Sequence, residues 1–150
     1  KEHRIPVLMA TDNGDSIILD VERFDLEPER HIFHGLLDDV DQNNLENLTF
    51  MDWLKLATKI IDADYLTPRM QGSILEMGRS LSSVPQLGTS ANVAGAMVAY
   101  AVRQIANGYP LPSGRYVLGM EEAMSPDYNS ESKVEERKQQ TEQFRAKFSK

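Results

Sequence analysis

Residues 89–108 carry a single charge, Arg103, and place Ala91, Gly95 and Ala99 four residues apart. At helical periodicity that spacing draws one stripe along a helix, and a stripe almost without side chains lets a second backbone approach closely. Val98, Val102 and Ile105 supply bulk beside it, while Asn107-Gly108 followed by Tyr109-Pro110 reads as the helix stop. A helix this apolar is expected to be buried inside the monomer. Self-association through Ala91, Gly95 and Ala99 is the competing use of the same stripe. Either way, the chain is expected to fold around a central helix.

At 150 residues the chain is long enough for one ordinary core. Its formal charge is −7, from 23 acidic and 16 basic residues, and the basic residues are scattered. A nucleic-acid binder must bring Lys and Arg to the phosphates, so that partner class is not expected. No apolar window reaches the roughly 18 residues of a membrane span, which makes a soluble, intracellular and most simply cytoplasmic protein the expectation. The absence of cysteine removes disulfides, thiolate catalysis and Cys-based zinc sites together. The chain begins at Lys1 without Met or a signal peptide, the pattern of a processed product or a piece of something longer.

Two β-prone runs within residues 5–24 flank Asn13-Gly14, the strongest short-range hairpin signal. In the second run Ile17, Leu19 and Val21 share a face opposite Ile18, Asp20 and Glu22, which suits a ribbon with one wet side. Pro6 makes the first strand an edge. Pro28 is placed to open a helix to about Leu37 with Ile32, Phe33, Leu36 and Leu37 buried. Thr49 with Asp52 forms a capping-box pattern for a helix to about Ile61 that buries Trp53, Leu54, Ala57 and Ile61. Thr67-Pro68 opens another, with Met70, Ile74, Met77 and Leu81 on one face. Residues 115–118 fit either a short third strand or the start of a helix to Met124. The resulting fold class is mainly α within α+β: an N-terminal β-hairpin on a bundle of about four to five helices. Residues 1–125 form the globular domain, with its helical core in 28–108, and residues 126–150 a polar helical tail.

Several constellations invite chemistry. His31 and His34 stand three apart, with Asp38 and Glu27 a turn away, but the spacing is not that of a zinc helix and no third ligand is fixed. Phe33, Leu36, Leu37 and Val40 precede Asp41, and Leu48, Asp52 and Trp53 fall at the eighth, twelfth and thirteenth positions of a loop counted from it. In this hydrophobic frame residues 29–61 resemble an EF-hand, and the resemblance implies calcium ligands at Asp41, Asn43 and Asp52. The ligand pattern departs from that family, because Leu45 stands at the fifth position, Glu46 replaces the turn glycine and Asp52 replaces the bidentate Glu. No glycine-rich phosphate loop or nucleophile motif is present, so no catalytic residue is assigned and no cofactor is expected.

These readings favour a non-enzymatic protein that acts by contact: a structural subunit, adaptor or assembly factor with a protein partner or a second copy. The alternatives are a calcium- or metal-responsive helix-loop-helix domain and an accessory subunit of an enzyme. The contact residues expected from pattern are Met120, Met124 and Tyr128, leading into Phe144, Arg145, Lys147 and Phe148 on the tail.

Overall fold

Gly14 and Asp15 form a two-residue turn, closed by the pair Asn13 and Ser16. In the computed structural model, which describes residues 1–40, 45 and 47–148, Val7–Asn13 (β1) pairs antiparallel with Ser16–Glu22 (β2), Asn13 lying opposite Ser16. Gly14 stands at φ +63°, and an added Cβ would meet Thr67 Oγ1 at 2.7 Å. The turn is a hub because its own backbone groups are shared with three helices. The hydroxyl of Thr67 donates to the Asn13 carbonyl (3.1 Å), that of Ser90 donates to the Gly14 carbonyl, and the Met120 amide donates to the Asp15 carbonyl (2.9 Å). Asn13, fully buried, donates from Nδ2 to the Tyr65 carbonyl (2.5 Å) and accepts the Thr67 amide (3.1 Å).

Of the two forms open to residues 115–118, the strand is the one observed. Gly114–Gly119 (β3) completes a sheet of order β1-β2-β3, and Met120–Met124 continues directly as a short helix, here called α4. Ahead of them in the chain come Phe50–Ile61 (α1), Pro68–Glu76 (α2) and Gly88–Ala106 (α3), and Glu131–Phe148 (α5) ends the fold. The mixed α+β class, with an N-terminal hairpin against helices, is thus the observed one. Thr49 and Asp52 make both halves of the capping box, and Thr67 caps α2 by accepting the Met70 amide.

The apolar interior divides in two. On one face of the sheet, Leu19 and Val21 of β2 pack with Ala101, Met97 and Val98 of α3 and with Leu8 and Ala10 of β1. The other cluster is mainly helical: Leu54 of α1, Leu66 just before α2, Met70 and Ile74 of α2, Met77 at its end, and Phe144 of α5. Complete burial of such side chains contributes roughly 1.5–3 kcal/mol each.

Four expectations require correction. First, residues 28–37 form no α-helix; Ile32–Gly35 is a 3₁₀ turn in which Phe33 (φ 50°), His34 (φ 57°) and Gly35 (φ 85°) are all left-handed. The helical pattern yields to tertiary polar contacts, since the His34 amide donates to Glu22 Oε1 (3.1 Å) and its ring meets Asp20. Second, β2 has no wet side: with this turn lying against it, Asp20 is 3% and Glu22 5% exposed. Third, α3 turns Ser90, Ala94 and Ala101 to the sheet and leaves Ala91, Gly95 and Ala99 exposed. Close approach does use small residues, but those of the neighbouring stripe. Fourth, Trp53 is 57% exposed, because α1 presents Leu54 and Thr58 inward instead.

Candidate contact surface

The most ordered polar centre lies between β2, β3 and the 3₁₀ turn. Asp20 and Arg115 are cross-strand partners, and the guanidinium donates to both carboxylate oxygens, from Nε at 2.7 Å and from Nη2 at 2.9 Å. The same group caps the C-terminal end of α1 by donating to the carbonyls of Ile60 and Ile61, each at 2.7 Å, and it lies over the Tyr65 ring at 5.1 Å. A bidentate fork that also meets free helix carbonyls satisfies most of its donors. His34 Nε2 completes the shell of Asp20 at 2.9 Å, while Arg30 Nη2 approaches Nδ1. Guanidinium has only donors, so Nδ1 accepts and Nε2 carries the proton toward Asp20. Asp20, Arg115 and His34 are thus paired with one another and tie β2, β3, the 3₁₀ turn and α1 together, while Arg30 Nε is buried without a hydrogen-bond partner among the described residues.

The imidazoles proposed from spacing are occupied in the same way. His31 Nδ1 pairs with Asp38 at 2.7 Å, and among the described residues no group of three or more His, Cys, Asp or Glu is arranged to hold a metal. Asp41 and Asn43 of the EF-hand-like loop lie outside the described residues. Asp52 is within them and is engaged: Oδ2 accepts the Thr49 hydroxyl (2.6 Å) and amide (3.0 Å), and these bonds, the hydroxyl's first, hold its carboxyl below the usual range.

The tail residues separate into inward and outward groups. Phe144 is 2% exposed against the α1–α2 cluster and stacks on Phe148 with ring centroids 5.2 Å apart, so the apolar side chains expected to anchor a partner are used within the chain. The few apolar residues of α5 suffice because Phe144 enters a cavity already lined by Leu66, Met70 and Ile74. Arg145 bridges to Asp64 (2.8 Å) and Asp62 (3.8 Å), and Lys147 is exposed. Tyr128 lies under the Arg137 guanidinium at 3.8 Å, and Arg137 Nη1 donates to its carbonyl (2.8 Å). Met120 is half-buried and Met124 is 74% exposed. A mixed-charge cleft of about 390 Å³ runs along this seam, with Tyr128, Arg137 and Arg145 in its wall.

Among the described residues, two apolar surfaces have no covering element. One is the outer side of α3, where Ala91, Gly95 and Ala99 run beside Val102, with the exposed Tyr100 ring under Arg103 at 5.4 Å. The other is the edge of β1. Its Ala10, Thr11 and Asp12 wall a cleft of about 300 Å³ whose other sides are Leu54, Ala57, Thr58 and Ile61 of α1, Met70 and Ile74 of α2, and Val84 and Gln86 of the loop that precedes α3. Thr58 is 7% exposed, and its Oγ1 is buried with no hydrogen-bond partner among the described residues. Sequence spacing gives no sign of Thr58, because a threonine on an apolar helix face reads as a neutral filler until the depth of its hydroxyl is known. Pro6 marks the edge itself correctly.

No family model and no solved structure matches this chain. It is 43% identical over 120 residues to an uncharacterized protein of Mycobacterium tuberculosis (strain CDC 1551 / Oshkosh). That similarity covers 80% of this chain and 16% of the relative, so the chain spans about one sixth of the length of the curated protein it matches.

Proposed function

We propose that this protein is a non-enzymatic contact domain that works by packing against a protein partner in a larger assembly. The observation that carries the reading is the outer side of α3, a long helix whose Ala91, Gly95, Ala99 and Val102 face outward. Exposed apolar residues aligned along one helix form a patch of the kind that marks interaction sites. The M. tuberculosis relative supports it, since there a stretch similar to this chain occupies 16% of a longer polypeptide. The pairing of Asp20 with Arg115 and His34 favours an architectural role for that centre.

A benzophenone crosslinker installed at Ala99 tests the reading in cells of the source organism. Irradiation is expected to give one adduct of defined mass at Ala99 and none at Ser132, an exposed position on α5. Equal labelling at both positions, or none at Ala99, would remove the contact role from α3.

A further inference from the structure

We infer that the cleft between the β1 edge and helices α1 and α2 receives an extended, lysine- or arginine-bearing segment of a partner protein as a fourth strand of the sheet. The inference rests on the contact reading above and adds a second surface with a defined occupant.

Backbone register supplies the first part of the argument. In a hairpin with a two-residue turn the residues flanking the turn exchange both hydrogen bonds, and the pattern then alternates. Asn13, Thr11, Met9 and Val7 therefore bond to β2, and Leu8, Ala10 and Asp12 direct their N–H and C=O groups away from it. Since β1 is the first strand of the order β1-β2-β3, no strand among the described residues stands beside those groups. An uncovered row of this kind is a template for strand addition.

The cleft wall supplies the second. Thr58 lies in it with Oγ1 buried beneath the surface. Around it Leu54, Ala57, Ile61 and Ile74 form an apolar wall, which selects an aliphatic side chain from the incoming segment.

Charge selects the rest of the occupant. Asp12 is the one ionised side chain in the cleft wall and has no partner among the described residues, and the protein as a whole carries −7. A basic residue on the added strand, beside Asp12, gains from both. A second copy of this chain does not meet these terms, because symmetric pairing of two β1 edges about Ala10 sets Asp12 beside Leu8 of the other copy and joins two surfaces of net negative charge.

The probe is a fluorescein-labelled ten-residue peptide with a central Val-Ile-Val-Val run between lysine pairs, followed by anisotropy against the intact chain. A control peptide carries glutamate pairs in place of lysine. The lysine peptide is expected to bind at least tenfold more tightly, with a salt-dependent Kd. Asp12→Asn removes only the charge, so the protein should fold with an unchanged Tm while the affinity for the lysine peptide falls roughly two- to fivefold. Ala10→Pro removes one outward N–H without touching the β1–β2 bonds and should abolish binding. Unchanged affinity in Asp12→Asn, equal binding of the two peptides, or no binding would each overturn the inference. So would a discrete dimer in light scattering that Ala10→Pro dissolves, since a second copy would then occupy the edge. Failure here together with an adduct at Ala99 leaves the contact role of α3 standing, and the reverse result separates them in the other direction.

Discussion

Arg115→Ala offers the sharpest test of how the sheet is held to α1. The guanidinium makes four hydrogen bonds of 2.7–2.9 Å, two to Asp20 and two to the terminal carbonyls of α1. Asp20 is 3% exposed, so truncation strands a carboxylate away from water with His34 as its remaining side-chain partner. Removing one member of a buried pair costs about 3–5 kcal/mol, most of it the penalty of the uncompensated charge. Against a total stability of roughly 5–15 kcal/mol this is a large fraction, and at this chain length it lowers Tm by on the order of 10 °C. The comparison that isolates the mechanism is the double variant Asp20→Leu, Arg115→Met. It deletes both charges and keeps apolar volume, so it should recover most of the loss, to within about 2 kcal/mol of the parent. Urea unfolding followed by far-UV circular dichroism gives the midpoints of the parent and the two variants. A loss under about 1 kcal/mol in Arg115→Ala, or a double variant no better than the single, would show that the pair is not the clamp described above.

Two further outcomes follow from the packing and the charges. Phe144→Ala empties a site at the junction of α2 and α5 and should cost about 3–5 kcal/mol in the same denaturant assay; a loss below 1 kcal/mol would return the tail to the periphery. Asp25 is held below the usual carboxylate range, first by its hydrogen bonds from Arg23, to which it lies 2.7 Å away. A lowered folded-state value means stability that is present above the unfolded value of 3.8 and is lost as pH falls through the folded one. Asp25→Asn should therefore be less stable than the parent at pH 7 by at most about 1 kcal/mol, and the gap should narrow as pH falls below 3.8 toward and through the folded-state value. A gap that does not narrow at all in acid would assign the effect to packing.

The parts of the fold that were legible are those written in local chemistry. Asn13-Gly14, Thr49 with Asp52 and Thr67-Pro68 each satisfy backbone groups within a few residues, so their roles could be derived without knowing what lies across the interior. Position 34 fails for the opposite reason: its left-handed backbone is maintained by Asp20 and Glu22, more than ten residues earlier, and nothing in the pattern 28–37 encodes that. The same limit explains α3. Periodicity identifies a helix with small residues on two adjacent stripes, 91-95-99 and 90-94-101, but the choice between them depends on where Ser90 meets the carbonyl of Gly14. That bond holds the start of α3 against the hairpin turn, and along the helix Ala94 and Ala101 face the sheet while Ala91, Gly95 and Ala99 are left outside. The exposed stripe is what remains of a helix whose apolar arc is wider than a three-stranded sheet can cover.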